Sequence, residues 1–131
     1  FDFSFSGLKT SVLYTLRDLK QISGQTKRDI AASFEQAVVD VLVAKTVRAA
    51  RQHNVRTVLL GGGVAANRKL REELGGALRR TLPGVRYILP DVRLTGDNAL
   101  MIALAGWFHR KQKVNWKSLQ AEANLRLDTS H

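Results

Sequence analysis

Residues 55–67 constrain this chain more than any other stretch: V-R-T-V-L-L runs straight into G-G-G and then V-A-A-N. The first six are β-branched or aliphatic apart from one arginine, which predicts a parallel-sheet strand buried on both faces. The three glycines remove every Cβ from the turn after it, so a ligand can approach the backbone closely. A helix over 67–82 is predicted to follow directly and to aim its N-terminal N–H groups at the same spot. Strand, glycine turn and helix start together mark a site for a nucleotide or another anion.

The remaining pattern places that unit in an α/β chain. The sequence F-D-F-S-F-S alternates aromatic and polar residues at the period of a half-buried strand, and Gly7 ends it. Leu8, Val12, Leu13, Leu16 and Leu19 then fall on one face of a helix over 8–20. After a loop around Gly24, Thr26 and Asp29 resemble a capping box and open a long helix to about residue 54, with Ile30, Phe34, Val38, Val41 and Leu42 as its buried stripe. In the helix over 67–82 the narrow apolar stripe is Leu70, Leu74, Ala77 and Leu78, and Pro83-Gly84 stops it. Its Gly75-Gly76 pair requires either a close contact or a bend. A second strand at 85–89 ends at Pro90, and 97–110 returns to helical spacing with Leu100, Met101, Leu104, Trp107 and Phe108 facing inwards. The order strand, helix, strand, helix implies parallel strands with right-handed crossovers. Residues 1–110 form one lobe; 111–131, with one amphipathic piece at 116–125, read as a loosely held tail.

Composition narrows the class. At 131 residues the chain amounts to one domain, no apolar run is long enough for a membrane span, and a chain that opens on Phe1 reads as a fragment of a longer protein. The absence of cysteine excludes disulfides, zinc-thiolate sites and thiol nucleophiles and suits a cytoplasmic protein. With 21 Lys and Arg against 11 Asp and Glu, the formal charge of +10 attracts polyanions such as tRNA, DNA or acidic lipid, and its sign alone names no partner.

Each candidate site has a plainer reading. G-G-G-V-A-A fits the G-x-G-x-x-A dinucleotide fingerprint, with Asp91 after the next strand as the ribose-binding acid, yet glycines there also serve a tight turn. Asn67 either caps its helix or hydrogen-bonds a ligand in the glycine turn. Asp97, in T-G-D-N, either caps the last helix or ligates a metal. Both residues follow strands, and loops at the carboxyl ends of parallel strands line one crevice, so Asn67 and Asp97 are expected to face each other. One carboxylate is too few for a metal site, and His53, His109 and His131 have no helical pairing and read as surface residues. Ser4, Ser6 and Lys9 lack the oxyanion motif and histidine a serine nucleophile requires.

Three separated blocks, F-S-F-S-G-L-K-T at 3–10, G-G-G-V-A-A-N at 61–67 and G-D-N-A-L-M-I-A at 96–103, together resemble the TsaD (YgjD, Gcp) family of tRNA threonylcarbamoyladenosine synthesis, over residues 1–108. The resemblance implies the C-terminal lobe of a two-lobed, actin-like (ribonuclease H-like) ATPase fold, mainly a parallel sheet with long helices. By it, Asn67, with Gly62 and Gly63, binds the adenine nucleotide (threonylcarbamoyl-AMP, ATP or AMP), and Asp97 is one ligand of a divalent metal, Fe(II) first, Zn or Mg otherwise. The family's remaining ligands form an H-x-x-x-H pair, which this sequence lacks. The implied activity is acyl transfer: threonylcarbamoyl passes from threonylcarbamoyl-AMP to the exocyclic amine of the adenosine beside the tRNA anticodon. No residue of this chain is implied as catalytic by itself, so the fragment alone is expected to be inactive. Implied partners are tRNA, a paralogous TsaB-type subunit and a TsaE-type ATPase. The alternatives are a non-catalytic nucleotide-binding or assembly module and a dinucleotide-binding dehydrogenase lobe.

Overall fold

The computed structural model describes residues 1–19, 21–97, 99–112, 115, 117 and 120. Four α-helices and two strands follow in the order α1 (Ser6–Asp18), α2 (Gly24–Gln52), β1 (Thr57–Leu59), α3 (Arg68–Thr81), β2 (Arg86–Ile88) and α4 (Ala99–Phe108). The chain divides into two compact units, Phe1–Asp97 and Asn98–His131. None of the described helices is long and apolar enough to cross a membrane.

In the first unit the core forms where α2 and α3 cover one face of the sheet. Val39 of α2 and Leu70, Leu74 and Leu78 of α3 are buried together, with Val58, Leu60 and Tyr87 packed against them. The expected α3 stripe is thus the core, and burying three leucine side chains contributes about 1.5–3 kcal/mol each to folding. Tyr87 explains Gly75: a Cβ there would lie 3.1 Å and 3.2 Å from two carbons of the Tyr87 ring. The glycine lets the strand's aromatic ring lie against the helix, so the contact is helix to strand. On α2 Val39 and Ala50 are buried, Val39 lying one residue beyond the expected Val38, and Val41 is exposed. Val39, Leu42, Val43 and Val47 follow the 3-and-4 spacing that meets α3.

The strands pair in parallel with Thr57 opposite Arg86, Val58 opposite Tyr87 and Leu59 opposite Ile88. Only one face is covered. Val58 and Tyr87 point into the core, whereas Leu59 is 69% and Ile88 43% exposed. Within the first unit the expectation of a strand buried on both faces therefore fails: a parallel sheet needs a layer on each side, and the described residues of this unit supply only one.

Three local expectations also change. Residues 1–5 form no strand, because a strand requires a neighbour to accept its ladder hydrogen bonds and none of the described segments pairs with it. They lie instead along the second half of α2, where the Lys45 ammonium sits 5.4 Å from the Phe3 ring and the Arg48 guanidinium 5.2 Å from that of Phe1. Leu13 and Leu19 of the first apolar stripe are exposed, leaving Leu8, Val12 and Leu16 half-buried. Finally, α2 begins earlier than Thr26: the Ser23 hydroxyl caps it by accepting from the Thr26 N–H at 3.0 Å. At its other end Asn54 takes the left-handed conformation (φ 48°), one of the few non-glycine residues suited to it.

In the second unit α4 buries no residue. Leu100, Met101, Leu104, Trp107 and Phe108, expected to face inwards, are all exposed. The segment A-L-M-I-A-L-A-G-W-F has no polar face to oppose an apolar one, so its spacing defines no inward side. The expected tail at 111–131, including the piece at 116–125, lies almost wholly outside the described residues.

Candidate functional site

Because β1 and β2 are parallel, the segments that leave their carboxyl ends emerge at one edge of the sheet. The first is the glycine turn. Gly62 has φ 80° and ψ 176°, a region that only glycine enters freely. A side chain at Gly63 would meet nothing within 4 Å, so the backbone there faces open space. A 3-10 turn over Gly63–Ala66 comes next, with Ala65 fully buried, and only then does α3 begin. The expected direct passage from glycine turn to helix is thereby corrected. One extra turn of chain intervenes, and the first turn of α3 is capped by its own side chain rather than left open to an anion.

That cap is Asn67. Its Oδ1 accepts from the Leu70 N–H at 2.7 Å, and its Nδ2 donates to Glu35 Oε1 on α2 at 2.7 Å. One N–H of the amide and one oxygen of the carboxylate remain for a further partner. They border a cavity of about 250 Å³ lined by Phe34, Glu35, Val38, Val64, Asn67 and Leu70 among others. Its apolar floor and polar edge suit a single ring or sugar, since sites for whole drug-sized ligands span about 300–1,000 Å³. A larger apolar groove of about 610 Å³ lies between α1 and α2, along Val12, Leu16, Ile22, Ile30 and Phe34. It touches none of the expected site residues.

The second segment leaves β2 through Pro90. Asp91 caps a 3-10 turn over Val92–Leu94 by accepting from the Arg93 N–H at 2.9 Å, and it pairs with the Arg93 side chain at 2.7 Å. Those contacts with Arg93 hold the Asp91 carboxyl below its usual range. A carboxylate so engaged, together with the intervening 3-10 turn, departs from the dinucleotide fingerprint. Thr95 is buried and donates to the Val92 carbonyl at 2.7 Å. Asp97, two residues on, is exposed.

Arg71 joins the two segments. From α3 its Nε donates to the Ala65 carbonyl and its Nη2 to the Pro90 carbonyl at 2.9 Å. Neither Arg71 nor Glu35 was legible as a site residue, because both act on partners distant in sequence and carry no motif. The structure brings Asn67 together with Glu35 of α2. No group of three His, Asp or Glu side chains among the described residues forms a place for a metal ion. The donors here do not fit a complete metal centre, and Asp97 supplies a single carboxylate. His53 is exposed, with its ring edge to that of Phe1, and His109 is exposed; His131 lies outside the described residues. Ser4 and Ser6 share a hydrogen bond of 3.2 Å at the surface.

Comparison with known proteins identifies relatives of one name. The protein from Listeria innocua named tRNA N6-adenosine threonylcarbamoyltransferase is 55% identical over 107 residues, covering 81% of this chain and 31% of its own length. One of the same name from Geobacillus thermodenitrificans is also 55% identical over 107 residues, with the same coverage. Another, from Lacticaseibacillus casei, is 45% identical over 126 residues, covering 95% of this chain and 37% of its own length. The chain thus spans about a third of the length of the curated relatives it matches. The family model for TsaD, tRNA N6-adenosine threonylcarbamoyltransferase, matches residues 1–104. With that match over most of its length, the chain belongs to the TsaD family.

Proposed function

We propose that this chain is the C-terminal, actin-like lobe of a cytoplasmic tRNA threonylcarbamoyltransferase and that it holds the adenine nucleotide of threonylcarbamoyl-AMP. The observation that carries the reading is the Gly62 backbone beside the Asn67–Glu35 cavity: an exposed, side-chain-free turn next to one unused donor and one unused acceptor. The open backbone at Gly62 and Gly63 admits the phosphate. Asn67 and Glu35 bind and orient the nucleoside, with Glu35 fixing the Asn67 amide. The adenosine amine attacks the carbamoyl carbon; a C–N bond forms as the C–O bond to the phosphate breaks, AMP leaves with that electron pair, and the amine's proton passes to solvent. This chain contributes by holding the acyl-adenylate in place for attack, an effect worth several powers of ten in rate when the geometry is right. Asp97 is one ligand of the family's divalent metal, Fe(II), Zn or Mg, whose remaining ligands come from outside this chain. The chain by itself is inactive and works with tRNA, a TsaB-type subunit and a TsaE-type ATPase.

A chimaera tests this. Replacing the matching third of the Listeria innocua transferase with this chain is expected to preserve threonylcarbamoyladenosine in tRNA, measured by nucleoside mass spectrometry, and Asp97→Ala in the chimaera is expected to abolish it. A folded but inactive chimaera overturns the reading. The exposed apolar surface of α4 favours a second one, a non-catalytic assembly module. That reading holds if Asp97→Ala leaves modification unchanged.

A further inference from the structure

The edge of the sheet opposite the glycine turn has a different chemistry. α2 enters β1 and α3 enters β2 through short connections, and the strands are parallel and in register, so both helix C-termini and both strand N-termini meet at that edge. Arg51 lies in the last turn of α2, Arg79 and Arg80 in the last turn of α3, and Arg56 and Arg86 at the strand starts. All five are exposed.

Three observations set this edge apart. Residues 45–57 and 74–90 contain no aspartate or glutamate, and Asp2, which residues 1–5 carry beside the second half of α2, forms no ion pair with the five arginines among the described residues. The ion pairs among the described residues, Arg68 with Glu72 and Arg93 with Asp91, leave these five arginines without an acidic partner, while Lys45 and Arg48 nearby rest on Phe3 and Phe1. The backbone also closes here: the Arg86 N–H donates to the Arg56 carbonyl at 3.0 Å, so both arginines belong to the same end of the strand pair. The helix dipole accounts for cations at the ends of α2 and α3, but not for Arg56, just before β1, or Arg86, the first residue of β2. Each of the five is arginine rather than lysine, the side chain whose planar fork meets phosphate oxygens in pairs.

We propose that this arginine edge docks the phosphate backbone of RNA. α3 spans about 21 Å between the two edges, so a mononucleotide in the glycine turn cannot reach it, whereas a folded RNA can occupy both. The proposal rests on the RNA substrate of the preceding reading and not on its nucleotide site.

The test is fluorescence polarisation of a labelled, unmodified tRNA transcript with the 131-residue chain across a salt series, and AMP binding is measured in parallel. Arg56→Gln/Arg86→Gln is compared with Arg17→Gln/Lys27→Gln, which removes equal charge from exposed positions on α1 and α2. The strand pair is expected to weaken tRNA binding at least about tenfold near 0.1 M salt and to reduce the slope of log K against log salt by about 1.5–2. The control pair is expected to change binding by less than about twofold. An Arg79→Gln/Arg80→Gln variant, altered only on an exposed helix face, should repeat the loss. Equal weakening by edge and control variants overturns the proposal, as does tighter binding to phosphatidylserine vesicles or polyglutamate than to tRNA. Unchanged tRNA affinity in the edge variants, with AMP still bound, removes the edge and leaves the nucleotide reading intact. Absence of any tRNA binding at low salt removes the RNA assignment.

Discussion

Helix α3 confines its apolar side chains to Leu70, Leu74, Ala77 and Leu78 and buries all four, whereas α4 carries apolar side chains on every side and buries none. The charges of α3 make the difference. Arg68, Glu72, Arg79 and Arg80 occupy its other faces and stay in water, so the helix has one stable orientation on the sheet. The α4 segment has no such residues from Ala99 to Phe108 and therefore specifies that it must be covered without specifying from which side. A stripe directs packing; an all-round apolar helix only demands it.

The largest effect expected from breaking this contrast is in the core. Leu74→Ala should cost about 2–5 kcal/mol, read as a lower urea midpoint, because it empties space between α2, α3 and the sheet. Leu104→Ala, in a side chain that is 48% exposed, should cost less than about 0.5 kcal/mol in the same chain. Comparable losses from the two would mean that α4 is covered in solution and would erase the distinction.

Next comes the turn that launches α3. Gly62→Ala places a Cβ at φ 80° and ψ 176° and should cost about 1–3 kcal/mol, along with AMP affinity measured by calorimetry. An unaltered midpoint would show that the turn relaxes without penalty.

Within α3, neighbouring glycines should respond with opposite sign. Gly76→Ala meets only the movable end of Arg80 at 3.2 Å and should stabilise by up to about 1 kcal/mol through helix propensity. Gly75→Ala presses a methyl against the Tyr87 ring and should forfeit that gain and lower the midpoint. Equal stabilisation by both would mean that the helix and strand are not in close contact.

The smallest effect concerns the Tyr87 hydroxyl, which is buried and has no hydrogen-bond partner among the described residues. Burial raises its pKa above the ordinary value, with the positive charge of Arg71 acting weakly in the opposite direction. The folded chain therefore keeps the phenol protonated at a pH where the unfolded chain releases the proton. The stability it contributes is complete below about pH 10 and declines as the pH rises past that value. Tyr87→Phe should melt no lower than the parent at pH 7 and lose less stability between pH 9 and 11; parallel pH profiles would contradict this.

Much of this could be read along the chain because it depends on spacing. The α3 stripe, the parallel pair and the glycine turn follow from residues three, four or two apart and from glycine's freedom. Expectations that depended on a neighbour were the ones to change. Phe1, Phe3 and Phe5 alternate as in a strand, but without a paired strand they lie along α2. The choice of Val39 over Val38 was made by α3, and the capping role of Ser23 by where α2 meets its loop.

The sequence by itself determined which side chains must leave water, where the chain must turn, and the three blocks that carry the family. Tertiary structure decided which groups meet. Asn67 turns its amide to Glu35, 32 positions away, and Arg71 ties the exit of β1 to that of β2. Five arginines from four elements and connections gather at one edge only because the two strands are parallel and in register. Hydrogen bonds and charge clusters of this kind depend on distances in space, which local spacing along a chain does not contain.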